Sequence, residues 1–459
     1  MERWIGLLGM GAFLLLGIAL STSRKHIHWK TILWGMALQW IFAGVVLKGD
    51  VFARLLGFLP FPKGAGWVVL LLMFLPMLLR RFARVENRSL NWGIFGLVVV
   101  GLLRGNLVAT SFDRMRIVVE HLMAYAHEGA SFVFGSLSDG PSGKVGMVFA
   151  FAVLPTIIFV ASIFAVLYYL GVMQWVVGAA ARAMGRFLKV SGAESVSVAA
   201  SILMGQTEAP LTIRPFLARM TRSELMVIMT AGMAHVSGSI MVAYVQVAHV
   251  DIVHLLTAVI MTAPGAVMMA KLLEPEREQP ETSGEIQVDI PNHDANVLDA
   301  AARGAFEGGQ LAFNVAVMLI AFIALIFLLN GIMKALHPAF SLETVLGTLF
   351  KPFAYLMGVP WGEAGQIGSL LGKRMVVNEF VAFLDLGAMT QLSAKAKLVA
   401  TFALCGFANF SSIAIQVGGI GALVPERRGD LARLGARAML AGTLATFPSA
   451  STPAILTQE

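Results

Sequence analysis

The sequence predicts an all-α polytopic membrane protein of about 8–10 transmembrane helices, with discontinuous helices arranged as an inverted repeat. Three observations carry this. Hydrophobic residues make up 57% of the 459 positions and charged residues 13%, where a soluble domain carries about 25% charged. Apolar runs recur at lengths near the roughly 20 residues that cross a hydrocarbon core as a helix. Finally, two carboxylates, Glu208 and Glu379, stand within strongly apolar sequence at corresponding places in the two halves of the chain. A β-barrel would alternate apolar and polar residues with period two, and no such alternation is present.

Taken in order, spans are expected near 5–20, 31–48, 65–79, 91–110, 146–172, 225–245, 252–271, 311–333, 397–424 and 434–451. The first lacks a basic leader and a small-residue cleavage site, so it reads as a retained span. The third is short and the fourth contains Arg104, so these two form either full spans or a re-entrant pair. Basic residues cluster at Arg24-Lys25-His26, at Arg80-Arg81 with Arg84 and Arg88, from Arg182 to Lys189, from Arg214 to Arg222 and at Arg427-Arg428. By the positive-inside rule these are cytoplasmic, which puts both termini outside. The net charge of +7 therefore reports topology and gives no reason to expect nucleic acid. The single cysteine, Cys405, excludes an internal disulfide and reads as a small packing residue.

Composition divides the chain into an N-terminal transmembrane scaffold at 1–145, a module at 146–272, a polar cytoplasmic linker at 273–300, a scaffold span at 301–345 and a second module at 346–459. Glu208 stands 30 residues before Gly238, and Glu379 stands 30 residues before Asn409. Loop charges have the first Glu segment entered from the cytoplasm and the second from outside, so the modules are inverted. Discontinuous helices in inverted repeats point to a transporter site at the bilayer midplane. A broken helix leaves backbone N–H and C=O groups unpaired, tolerable in a membrane only where they line a cavity or meet a ligand. Intramembrane carboxylates at such a place are functional candidates by default.

Around these residues the chain resembles the concentrative nucleoside transporter family. The resemblance rests on 205–211, Met220-Thr221-Arg222-Ser223-Glu224-Leu225, Asn296-Val297-Leu298-Asp299-Ala300-Ala301, Met357-Gly358-Val359-Pro360-Trp361, 377–382 and 405–428. It runs from about residue 137 to the C-terminus, with a weaker match over the first two spans. It implies a homotrimeric secondary importer of nucleosides in a bacterial cytoplasmic membrane, with two oppositely oriented re-entrant helical hairpins whose tips are at 205–210 and at Asn378-Glu379-Phe380. By the same resemblance Gln206, Thr207 and Glu208 match nucleobase contacts. Glu379, Asn409 and Ser412 match ribose contacts, and Phe407 and Ile240 match pocket walls.

Two departures stand out. About 50 residues around 63–112 are inserted relative to shorter bacterial members. The sodium ligands of the family map to Ser201 in place of an Asn, to His235 in place of a small hydroxyl residue, and to backbone near Met204 and Val236. An imidazole at that position, together with Glu208 and Glu379, favours a proton as the coupling ion; sodium is the alternative. Histidine changes charge near physiological pH, and its surroundings can move that transition.

Plainer readings are available for several of these residues. Glu208 and Glu379 could be buried structural carboxylates, and His235 a hydrogen-bonded polar residue between helices. Glu224 and Glu426 read as solvated loop charges, and Glu120, His121, His127 and Glu128 as one face of an amphipathic helix rather than a metal site. No cofactor and no metal are expected. A channel would need a continuous filter, and a nucleoside-hydrolysing enzyme would need an activated water that nothing in the sequence places.

Overall fold

The computed structural model describes residues 2–49, 51, 54, 107–139, 146, 148–282 and 294–457. The expected span 65–79, most of 91–110 and most of the insertion at 63–112 lie outside the described residues. All regular elements that are described are helical. In chain order the α-helices of ten or more residues are α1 (Glu2–Ala19), α2 (Trp29–Leu47), α3 (Leu107–Phe134), α4 (Leu154–Tyr169), α5 (Val172–Leu188), α6 (Gly192–Ser201), α7 (Arg222–Ala234), α8 (Gly238–Ala248) and α9 (Ile252–Leu273). They continue with α10 (Val297–Leu336), α11 (Leu342–Leu356), α12 (Ala364–Val376), α13 (Glu379–Ala388), α14 (Ala394–Leu404), α15 (Phe410–Leu423) and α16 (Arg428–Leu456). A 3-10 stretch, Ala209–Arg219, joins α6 to α7.

Each half repeats one succession: a long apolar helix, an amphipathic helix, two helical segments that fold back on each other, a helix broken in its middle and a final apolar helix. In the first half these are α4, α5, α6 with the 3-10 stretch, α7 with α8, and α9. In the second they are α10, α11, α12 with α13, α14 with α15, and α16. Five helical stretches among the described residues are long and apolar enough to cross a membrane, namely Trp29–Leu47, Phe149–Tyr169, Arg222–Ala248, Ile252–Leu273 and Val297–Leu336.

Helix starts follow the local chemistry. Ser191 with Glu194 and Thr221 with Glu224 form two capping boxes, each side chain answering the other's backbone N–H. The two boxes are joined, because Ser191 Oγ donates to Glu224 Oε1 at 2.6 Å. Lys271, near the end of α9, completes this buried cluster at 2.6 Å from Glu194 and 3.1 Å from Glu276. Glu224 is thus a buried capping residue rather than a solvated loop charge, while Glu426 is exposed as expected. At 273–282 the linker keeps Arg277, Glu278, Gln279 and Glu281 exposed, as its composition implies, but it is anchored at both ends. Glu274 and Thr282 are buried there, and Gly192 donates its N–H to Thr282 O at 2.8 Å, so this end of the polar linker packs onto the start of α6.

α4 and α10 pack along each other and are tied by Ser162 Oγ donating to Ala301 O at 2.8 Å. The breaks sit in the core made by α7, α9, α14 and α16. α8 packs on α13, and α15 on the 3-10 stretch, so each half's broken helix touches the other half's folded-back segment.

Candidate functional site

Both broken helices stop where their next residues leave helical geometry. α7 ends at His235 and α14 at Cys405, both in extended or irregular backbone. The breaks cross each other: Phe407 N–H donates to His235 O at 3.3 Å. A Cβ on Gly406 would stand 2.7 Å from Ala234 O, so only glycine lets the two backbones approach this closely.

From the second break, Asn409 caps α15. Its Oδ1 accepts from Ser412 N–H at 2.8 Å and from Ser411 Oγ at 2.7 Å, while its Nδ2 donates to Glu379 Oε2 at 3.3 Å. Glu379 opens α13 immediately after Asn378, whose Oδ1 caps that helix by accepting from Val381 N–H at 2.9 Å. The other carboxylate oxygen, Oε1, accepts from Tyr244 Oη at 2.9 Å. Glu379 is 6% exposed, and Tyr244 stacks on Phe383 with centroids 4.3 Å apart.

A second cluster adjoins the first through Ser412. Gln206 Nε2 donates to Ser412 Oγ at 3.2 Å, and Gln416 Nε2 donates to Gln206 Oε1 at 3.2 Å. Residues from the end of α6, from both broken helices and from the start of α13 therefore share one continuous set of hydrogen bonds. Gln206, Ser412 and Glu379 can each exchange a protein partner for a hydroxyl or amide of a bound solute, at little net cost in hydrogen bonds.

The third cluster lies at the first break. His235 Nδ1 is 2.7 Å from Ala231 O and 3.1 Å from Ser201 Oγ, and Ser201 Oγ donates to Val198 O at 2.8 Å. Nε2 makes no hydrogen bond, although the Val259 backbone lies beside the ring. Gly238 N–H donates to Leu203 O at 3.0 Å, which fixes the end of α6 against the start of α8. Met204 and Val236 flank these contacts in sequence, and Val236 is buried.

Among the residues singled out from sequence, Gln206, Glu379, Asn409 and Ser412 come together, and Ser201 meets His235. Glu208 stands apart. Its carboxylate turns back to accept from Gly205 N–H at 3.1 Å, the residue is exposed, and the charges it senses are Glu307 and Arg303 on α10. Thr207 packs its methyl group against Gly419, Ile240 is buried, and Phe407 is partly buried.

Three residues escaped the sequence reading. Tyr244 lies one turn after Ile240 and Gln416 one turn after Ser412, so helical periodicity from recognised positions points to both. Arg374 is the third. It is 1% exposed, with Nε donating to Gly406 O at 3.1 Å and Nη1 donating to Ala403 O at 2.5 Å and to Thr446 Oγ1 at 3.0 Å. A guanidinium thus takes the carbonyls that the second break frees, and its charge lies within electrostatic reach of Glu379. An intramembrane arginine five residues before Glu379 deserved the same suspicion as the carboxylates.

Three family descriptions match in order: the N-terminus of Na+ dependent nucleoside transporters at residues 8–61, a nucleoside recognition (gate) domain at 150–250, and the C-terminus of Na+ dependent nucleoside transporters at 254–453. The nucleoside permease NupC of Helicobacter pylori is 39% identical over 347 residues, covering 72% of this chain and 82% of that protein. The chain belongs to the concentrative nucleoside transporter family.

An uncharacterized transporter of Haemophilus influenzae is 46% identical over 346 residues, 73% of this chain and 82% of its own length. The solved structure of CNTnw in an inward-facing substrate-bound state superposes with a TM-score of 0.80 at 36% identity, covering 99% of each chain. This transporter is accordingly a multi-pass, all-helical membrane protein and not an enzyme.

Proposed function

We propose that this concentrative nucleoside transporter imports nucleosides across a bacterial cytoplasmic membrane by proton symport, as a homotrimer with both termini outside. In this reading the two folded-back segments are re-entrant hairpins of opposite orientation. The observation that carries the substrate reading is the shared hydrogen-bond set in which Gln206 from the first hairpin and Glu379 from the second both reach α15, through Ser412 and Asn409. Glu379, Asn409 and Ser412 offer a carboxylate, an amide and a hydroxyl, groups that suit the two ribose hydroxyls. Gln206, with Thr207 and Glu208 beside it, faces the base, and Ile240 and Phe407 form apolar walls.

The coupling proposal rests on the first break. Sodium favours several hard oxygen ligands, yet Ser201 Oγ, its proton given to Val198 O, turns toward His235 Nδ1 at 3.1 Å, and the neighbouring position presents that imidazole in place of an oxygen. A proton needs no such shell. His235 or Glu379, with Glu208 at the hairpin tip, would take it up, and Met204 and Val236 would serve only as backbone neighbours.

Proteoliposomes holding purified protein test this directly. An inward proton gradient is expected to concentrate labelled uridine inside without sodium, and collapse of that gradient should abolish accumulation. Uptake that requires sodium at every pH and ignores the proton gradient would establish sodium coupling instead.

A further inference from the structure

Gln416 is 0% exposed and bonds two different kinds of acceptor with one nitrogen: Met229 O at 3.1 Å and Gln206 Oε1 at 3.2 Å. The backbone carbonyl is the informative partner. Oxygen and nitrogen of a side-chain amide are assigned from the surrounding network, and a carbonyl oxygen accepts in every context. Met229 O therefore fixes Gln416 with its NH2 toward α7. The remaining N–H of that group points at Gln206, which must answer with its oxygen.

Gln206 then has its NH2 on the opposite side, where it donates to Ser412 Oγ. Reversing Gln416 would set its oxygen against Met229 O, and Gln416 Oε1 has no hydrogen-bond partner even in the observed orientation. An unsatisfied buried oxygen costs about 1–3 kcal/mol; it is tolerated here because the donor side is committed. The space is equally specific. A Cβ on Gly232 would stand 2.6 Å from Gln416 Nε2 and 3.1 Å from Gln206 Cβ, so the missing side chain at Gly232 admits both amides.

We propose that Gln416 is a positioning residue for base selection: through the Met229 carbonyl it locks the amide of Gln206 so that this side chain offers the nucleobase its NH2 and not its oxygen. This rests on the reading of Gln206 as the base-facing residue. Uridine and cytidine are the natural probes. They differ at the C4 and N3 edge, where one presents an acceptor beside a donor and the other the reverse, while their riboses are identical.

Gln416→Glu breaks the lock in either protonation state. A carboxylate has no proton for either partner. A carboxylic acid has one, which can serve Met229 O or Gln206 but not both. Gln206 is then free to turn its oxygen outward.

The test compares initial uptake of uridine, cytidine and 2′-deoxyuridine by wild-type protein and Gln416→Glu in proteoliposomes. The uridine-to-cytidine efficiency ratio is expected to change about tenfold, the scale of one hydrogen bond, and the uridine-to-2′-deoxyuridine ratio by much less, since Ser412 Oγ can donate to a turned Gln206 as well as accept from it. An unchanged base ratio, or an equal change in the ribose ratio, overturns the proposal, since a merely structural role would move both together. If Gln416→Glu is not recovered as folded protein, Gln416→Leu decides the matter by the same two ratios. Wild-type protein that carries no nucleoside at all would refute the nucleoside reading itself, not this refinement of it.

Discussion

Glu379→Gln is expected to lower nucleoside uptake at low substrate by roughly 100-fold, equivalent to about 2.7 kcal/mol, while leaving a folded, membrane-inserted protein. Two donors converge on the wild-type carboxylate, Tyr244 Oη on one oxygen and Asn409 Nδ2 on the other. Glutamine keeps one acceptor oxygen and sets an NH2 where the second stood, facing a donor. With the NH2 toward Tyr244 Oη, the hydroxyl can accept but its own proton is left without an acceptor in a buried site, and in the other orientation the NH2 meets the Asn409 NH2. Either way any substrate hydroxyl loses a charge-assisted acceptor, and such bonds are roughly twice as strong as neutral ones. Initial uptake rates at matched protein levels check this, with size-exclusion chromatography confirming the fold. Wild-type uptake by the variant would remove Glu379 from the binding site.

Arg374→Met should fail differently, by loss of stability. The arginine serves Gly406 O, Ala403 O and Thr446 Oγ1 at the second break. Methionine fills much of the volume and serves none of them. Each buried polar group left without a partner costs about 1–3 kcal/mol, so a loss of about 3 kcal/mol or more is expected. The Glu379 carboxylate also loses its nearby counter-charge. Arg374→Lys should recover only part of this, because an ammonium on a flexible stem cannot reproduce a planar fork that meets several acceptors at once. Heating detergent-solubilised samples and following the surviving folded peak measures both variants. A midpoint within a degree of wild type for Arg374→Met would show that water or backbone movement satisfies those carbonyls.

The helical, membrane-spanning fold was legible because apolar run length reports on it directly. The two breaks were legible from the Glu-to-cap spacing and from small polar runs after each apolar stretch. Asn409, Ser412, Gln206 and Glu379 were singled out through the family resemblance, and the structure links them in one hydrogen-bond set. What escaped was partnership across long sequence separations. Tyr244 reaches Glu379 over 135 positions and Gln416 reaches Gln206 over 210; helical periodicity places both residues on the right face, but no local pattern encodes the partner each one meets. Glu224 was misread because a charge beside Arg222 looks solvated in one dimension. In three dimensions its carboxylate closes one capping box and accepts from the serine of another. Arg374 was overlooked because attention to buried charge went to carboxylates, although the same desolvation cost applies to a guanidinium.

The central claim is that Glu379, Asn409 and Ser412 hold the sugar while Gln206 faces the base. Competition against labelled uridine uptake in proteoliposomes tests it most directly, with uridine, its 2′- and 3′-deoxy analogues and free uracil as competitors. A site built to hydrogen-bond a hydroxyl strongly disfavours analogues lacking it. The deoxy analogues are therefore expected to compete about tenfold or more less well than uridine, and uracil hardly at all. Equal inhibition by uracil and uridine would contradict a sugar site at the second hairpin.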